Sequence, residues 1–96
     1  MKDANSPLIK YSKLFNKQFK ALSLEIKIAF REARELFIDN PNHQSLRNHK
    51  LKEELQGYRS IDVTNDYRAV FKEKLERNQE IITFYMIGAH EDLYGS

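Results

Sequence analysis

Apolar residues return every three or four positions across the first part of the chain: Leu14, Phe15, Phe19 and Leu22, then Ile26, Ala29, Phe30, Ala33 and Phe37. That spacing predicts two amphipathic helices. Ser12 and Ser23 stand where N-caps belong, and Asn40-Pro41 ends the second helix, since the residue before a proline avoids helical geometry. Glu25, Lys27, Arg31, Glu32, Arg34 and Glu35 fill the positions between the apolar ones, so the helix has one wet face. The pair reads as a helical hairpin. Before it, Leu8-Ile9-Lys10-Tyr11 follows Pro7 and suits an opening strand. After a polar loop, Pro41 to Asn48, the period shifts towards two, and strands are expected around Tyr58–Val63, Tyr67–Lys72 and Ile81–Ile87, with a fourth near Leu51–Leu55. Gln56-Gly57, Thr64-Asn65-Asp66 and the polar Glu73–Glu80 stretch read as their connections. The expected class is α+β: an N-terminal strand, a helical hairpin, then an antiparallel three- to four-stranded meander with the helices on one face. Ile81–Ile87 is apolar on both sides and belongs in the middle of the sheet or under cover.

Length agrees with one domain over residues 1–96, because a chain of 96 residues has apolar surface for one core only. Hydrophobic residues at 41% and charged residues at 31% exclude a disordered or fibrous chain. No apolar run reaches the roughly 20 residues of a membrane span, and Met1-Lys2-Asp3-Ala4-Asn5 lacks the apolar core of a secretory signal, so the expected place is the cytoplasm, with no membrane partner. With no Cys, disulfides and thiolate zinc sites are excluded. The net charge of +2 conceals a division: residues 1–60 carry 12 Lys/Arg against 7 Asp/Glu, and residues 61–96 carry 4 against 7. A basic portion of that kind attracts phosphates or an acidic partner, or is a plain solvated helix surface.

Candidate chemistry gathers where strands end. Gly88-Ala89-His90-Glu91-Asp92-Leu93-Tyr94 places an imidazole and a phenol just past a rigid element. Arg68 interrupts the apolar Tyr67–Phe71 run, and His49 opens His49-Lys50-Leu51-Lys52. His43 and His49 lack the i, i+4 spacing of a zinc protease helix, and there is no Gly-rich phosphate loop or nucleophile elbow. Neither a metal nor a nucleotide cofactor is expected.

Four stretches together resemble the RelE/ParE superfamily of type II toxin–antitoxin toxins, in particular its RelE-, YoeB- and YafQ-like mRNA interferases: Leu46–Leu51, Gly57–Val63, Asp66–Phe71 and Gly88–Tyr94. The resemblance implies a RelE-like fold, cleavage of mRNA on the ribosome, and silencing by a tightly bound cognate antitoxin, with DNA met only through the antitoxin complex. It further implies a site. Arg68 resembles the sheet arginine aimed at the scissile phosphate, His90 the C-terminal histidine of the YoeB- and YafQ-like branches, and Tyr94 their late aromatic. His49 and Asp66 are similar to the upstream histidine and the acidic residue of the YafQ-like branch. Ser60 and Asp62 stand where that branch carries an aspartate and a histidine, which leaves the division of acid and base roles open.

The implied reaction needs a base to take the proton of a 2′-OH, an acid to protonate the departing 5′ oxygen, and a cation for the charge on phosphorus. His49 or Asp66 is the expected base, His90 the acid, Arg68 the phosphate stabiliser, and Tyr94 a stacking surface or second proton donor. Arg47, Lys50, Lys52 and Arg59 are expected to contact flanking phosphates or ribosomal RNA. Each residue also has a structural alternative. Arg68 can pair with Asp62 or Glu73, Asp66 can serve as a turn residue, Tyr94 can pack on the sheet edge, Lys50 and Lys52 can be a solvated face, and His43 is read as structural. Two rival functions stay open: a ParE-like gyrase poison on the same fold, and a non-catalytic relic that still binds its antitoxin.

Overall fold

The computed structural model describes residues 6–94. Strand β1 (Leu8–Tyr11) runs into helices α1 (Lys13–Lys20) and α2 (Leu24–Asp39); strands β2 (His49–Lys50), β3 (Arg59–Asp62), β4 (Tyr67–Glu76) and β5 (Gln79–Ala89) follow, and a short helix α3 (His90–Tyr94) ends the described chain. The five strands form one sheet in the order β1-β5-β4-β3-β2. All neighbours are antiparallel except β1, which lies parallel to β5. The α+β architecture read from the sequence is therefore present, with β5 central between β1 and β4.

Both helices start as the serines dictate: Ser12 Oγ accepts from Phe15 N–H at 2.9 Å and Ser23 Oγ from Ile26 N–H at 3.3 Å. Their apolar stripes bury Phe15, Phe30, Ala33 and Phe37 against Ile61, Ala69, Phe71, Ile82, Phe84 and Ile87 of the sheet. Phe84 is the hub of this core, its ring 5.2 to 6.1 Å from those of Tyr11, Phe15, Phe30, Phe37 and Phe71.

A β-bulge explains why Ile81–Ile87 is apolar on both sides. Val70 pairs with Met86 but Phe71 pairs with Phe84, so Tyr85 is an extra residue on β5. Core-facing positions are Ile82 and Phe84 before the bulge and Ile87 after it, because one inserted residue shifts the alternation of side chains between the faces. Beyond Tyr11 the outer edge of β5 has no strand neighbour, and α1 takes over. Ser12 N–H donates to Phe84 O at 3.0 Å and Ser12 Oγ to Tyr85 O at 2.6 Å, while Gln18 Oε1 accepts from Ile87 N–H at 2.8 Å. Two side chains thus satisfy backbone groups of an edge that no strand covers.

Three expectations are corrected. The strand expected near Leu51–Leu55 is instead the two-residue β2 just before it, and Glu53–Leu55 is a single 3-10 turn. The loop from Pro41 to Asn48 contains another such turn, Gln44–Leu46, which buries Leu46. Glu73–Glu80 is mostly strand: β4 and β5 extend past the helices and join through Arg77-Asn78, whose φ values of 51° and 66° make a two-residue hairpin turn. Both faces of that arm are wet, and its sequence from Glu73 to Glu80 is polar apart from the exposed Leu75.

Candidate active site on the open face of the sheet

Register decides which side chains can meet. Ile61, Ala69 and Ile87 point at the helices, so their neighbours Ser60, Asp62, Arg68, Val70, Met86 and Gly88 point to the other face. His49 lies opposite Ser60 and shares that face. Helix α3 folds back over the same side: a Cβ on Gly88 would stand 3.2 Å from Leu93 Cδ2, and Tyr94 Oη donates to Ser60 Oγ at 2.8 Å. A side chain at position 88 would press on Leu93, which must give by a few tenths of an ångström to admit even a methyl group. The His90 and Tyr94 rings meet edge to face at 4.6 Å. His49, Ser60, Tyr94 and His90 therefore form a continuous run on one face.

The start of α3 is pinned from the neighbouring turn. His90 N–H donates to Asp66 O at 2.7 Å, and Thr64 Oγ1 accepts from the backbone N–H groups of Asp66 and Tyr67 at 3.3 and 3.1 Å. Asp66 thus serves as a turn residue and sits beside His90, with its side chain exposed. Burial pushes the Tyr94 phenol above its ordinary value, the hydrogen bond to Ser60 and the charge of Arg68 pulling the other way. Tyr94 stays protonated at neutral pH and presents a neutral O–H donor.

Asp62 is held between two guanidinium groups: Arg68 Nε is 3.0 Å from Oδ1, and Arg47 Nε is 2.9 Å from Oδ2. The two arginines differ in what remains available. The Arg68 side chain is 10% exposed, and its Nη1 donates to the carbonyls of Thr64, Asn65 and Tyr67 at 2.9 to 3.0 Å. It ties β3 to the turn before β4, as its structural alternative required, with Asp62 and not Glu73 as partner. The Arg47 side chain is 67% exposed. Its backbone takes the left-handed conformation, φ 46°, at the end of the Gln44–Leu46 turn. The expected phosphate-facing cation, Arg68, is largely consumed by the fold, whereas Arg47, expected only as a flanking contact, reaches into the centre of the site.

His49 Nδ1 lies 2.7 Å from the Arg47 carbonyl. A carbonyl only accepts, so Nδ1 carries the proton, which in a neutral ring leaves the lone pair on Nε2. That is the form a general base requires. His43, by contrast, uses Nδ1 to accept from Ser45 N–H at 3.2 Å, capping the 3-10 turn, as its structural reading implied.

The remaining basic residues are dispersed. Arg59 and Lys50 are cross-strand partners in line with the core residue Phe71, so both point to the helix side of the sheet. Arg59 Nε donates to Asn48 Oδ1 at 2.8 Å and stands 4.0 Å from Glu73. With Lys52, Gln56 and Tyr58 they line a groove of about 660 Å³ at the β2 edge, next to the histidine site and not in it. Ser60, which the sequence offered only as a departure from a family pattern, is fully buried and anchors Tyr94. Among the described residues, no group of three or more His, Asp or Glu side chains is placed to hold a metal ion, and no helix is long and apolar enough to cross a membrane.

No family model matches the chain, and no curated protein sequence matches it. Solved structures do. The crystal structure of YafQ from E. coli strain BL21(DE3) superposes with a TM-score of 0.74 at 24% identity, covering 93% of this chain and 99% of that one. The chain shares the fold of YafQ. A YoeB/ParE toxin from Agrobacterium tumefaciens shares it at 12% identity, with a TM-score of 0.71 over 86% of this chain and 98% of that chain. YafQ in the E. coli DinJ-YafQ toxin-antitoxin complex matches at 22% identity and a TM-score of 0.72, covering 94% and 99%.

Proposed function

We propose that this protein is the toxin of a type II toxin–antitoxin pair and cuts mRNA on the ribosome, in the cytoplasm, without a metal. One observation carries the reading: His49, its Nδ1 donating to the Arg47 carbonyl, shares a face with the Ser60–Tyr94–His90 run and the Arg47–Asp62–Arg68 cluster. His49 Nε2 removes the proton of a 2′-OH, O2′ attacks phosphorus, and the P–O5′ bond breaks as the His90 imidazolium protonates O5′. The products are a 2′,3′-cyclic phosphate and a 5′-OH. Arg47 meets the charge that builds on the phosphoryl oxygens, Arg68 holds Asp62 so that Arg47 is aimed, and Tyr94, whose O–H is donated to Ser60, offers its ring as a stacking surface. Asp66, exposed beside His90, is the alternative base.

The antitoxin partner is inferred from the YafQ complex with DinJ, and contact with DNA follows only through that partner. Exposed Leu14, Leu24 and Ile28 on the helical pair suit an apolar segment of it. Mapping mRNA ends within minutes of induction tests the proposal. Discrete breaks with 5′-OH ends support it. DNA damage preceding any RNA cleavage indicates a gyrase poison, and the absence of both indicates a non-catalytic antitoxin binder.

A further inference from the structure

Further along the open face, one end of the sheet carries aromatic rings that the cleavage chemistry does not use. The Tyr58 and Tyr85 rings lie 5.1 Å apart at 34°, and Lys72 Nζ sits 5.3 Å from the centre of the Tyr58 ring. Tyr85 is 36% exposed although it occupies a central strand, because the bulge turns it out to the open face beside Met86. Tyr58, Tyr85, Lys72, Lys74, Thr83 and Glu73 line a cleft of about 310 Å³. Tyr58 and Glu73 also form a wall of the basic groove that holds Lys50, Lys52 and Arg59. Two open-face rings flanked by lysines are the composition of a single-strand platform: bases stack on rings whatever their identity, and ammonium groups meet the phosphates between them.

We propose that Tyr58 and Tyr85 stack a nucleobase of the RNA that flanks the cut, with Lys72 on the adjoining phosphate. This rests on the nuclease reading and names how its substrate is held. Tyr58 precedes Ser60 by two residues along one extended segment, and Leu51 N–H bonds its carbonyl at 2.9 Å in continuation of the ladder. Two strand residues span about 6.6 Å, so the ring pair is displaced from Ser60 by about the reach of one extended nucleotide. Lys72 covers Tyr58 at small cost to move, since a cation over a ring at an exposed site is held weakly. Charge favours RNA over an acidic peptide segment only in part, and Glu73 is the one acid in the cleft; the pairing of exposed Tyr85 with half-buried Tyr58 decides for a base.

The test is binding of a fluorescein-labelled, fully 2′-O-methylated RNA 10-mer, which no 2′-OH mechanism can cut, alongside antitoxin binding and mRNA cleavage by the same variants. Tyr58→Ala and Tyr85→Ala should each weaken RNA binding about 5- to 150-fold, Tyr85→Phe should restore it, and Lys72→Ala should lower the slope of log K against log salt by about 0.7. Unchanged melting temperatures separate these effects from misfolding. Alanine variants that bind as tightly as wild type, or a wild type that does not bind the RNA, overturn the platform. So does loss of antitoxin binding with RNA binding intact, which makes the face a protein interface. Ring-dependent RNA binding without cleavage keeps the platform and removes the nuclease reading.

Discussion

Asp62→Asn offers a sharp test of the claim that Arg68 holds the fold while Arg47 serves the substrate. The substitution keeps the shape of the side chain and removes its charge, leaving the nearly buried Arg68 guanidinium without a counter-ion. Breaking a buried pair in this way costs about 3–5 kcal/mol. Arg68 keeps three carbonyl acceptors through Nη1 and Asp62 retains some solvent contact, so the expected loss falls below that range, about 2–3 kcal/mol. For a domain of this size each kcal/mol moves Tm by about 4–8 °C, giving a drop of about 10–20 °C. Arg47→Ala breaks the other contact to the same carboxylate, but the Arg47 side chain is 67% exposed. Its loss is worth about 0–1 kcal/mol and at most a few degrees. Thermal unfolding followed by circular dichroism reads both, and adding Arg47→Ala to Asp62→Asn should cost nothing further. If Asp62→Asn melts no lower than Arg47→Ala, Arg68 is not held by Asp62 and the assigned roles fail.

The other expected outcomes are more local. Tyr94→Phe removes the donor to the buried Ser60 hydroxyl, lowers stability by about 1 kcal/mol in chemical denaturation and reduces cleavage. Because the folded-state phenol titrates above its ordinary value, Tyr94 contributes stability below pH about 10 that is lost as pH rises through its folded-state value; alkaline unfolding titrations should show a shallower decline in Tyr94→Phe. Gly88→Ala drives a methyl group towards Leu93, loosens α3 and should lower cleavage at least 10-fold with a Tm change under about 5 °C, both measured on purified protein. Gln18→Leu leaves the Ile87 N–H unsatisfied against a buried edge and should cost about 1–3 kcal/mol, with faster amide exchange at Ile87.

The helices were legible in the sequence because burial there is one-sided: the 3.6-residue stripe from Phe15 to Phe37 and the serines before it have no other consistent reading, while the middle of the sheet, buried on both faces from Arg68 to Phe71, showed as a short apolar run. The long β4–β5 arm was not, since beyond the helices both faces are wet and the Arg77-Asn78 turn carries no glycine to mark it. The two-residue β2 is too short to show a period. At the site, His49, His90 and Tyr94 were identifiable by residue type and position. Their convergence was not, because α3 is a single short turn whose placement depends on Gly88 meeting Leu93 and Tyr94 meeting Ser60, contacts that no local pattern encodes. The occupation of Arg68 was legible only in part: pairing with Asp62 was one of its structural alternatives, but the other acceptors are backbone carbonyls of a turn that no side-chain pattern marks. Arg47 could be suspected from its place next to a polar loop, but only the left-handed backbone there turns its side chain onto Asp62.

Single-turnover cleavage of ribosome-bound mRNA by wild type and by His90→Gln, with the new 5′ ends analysed chemically, tests the account most directly. Wild type should release 5′-OH ends paired with 2′,3′-cyclic phosphates, and His90→Gln, folded and melting as wild type does, should cut about 10²–10⁴-fold more slowly. Cleavage at the wild-type rate by the variant, or the absence of cleavage by the wild type, would contradict a catalytic site on the open face of the sheet.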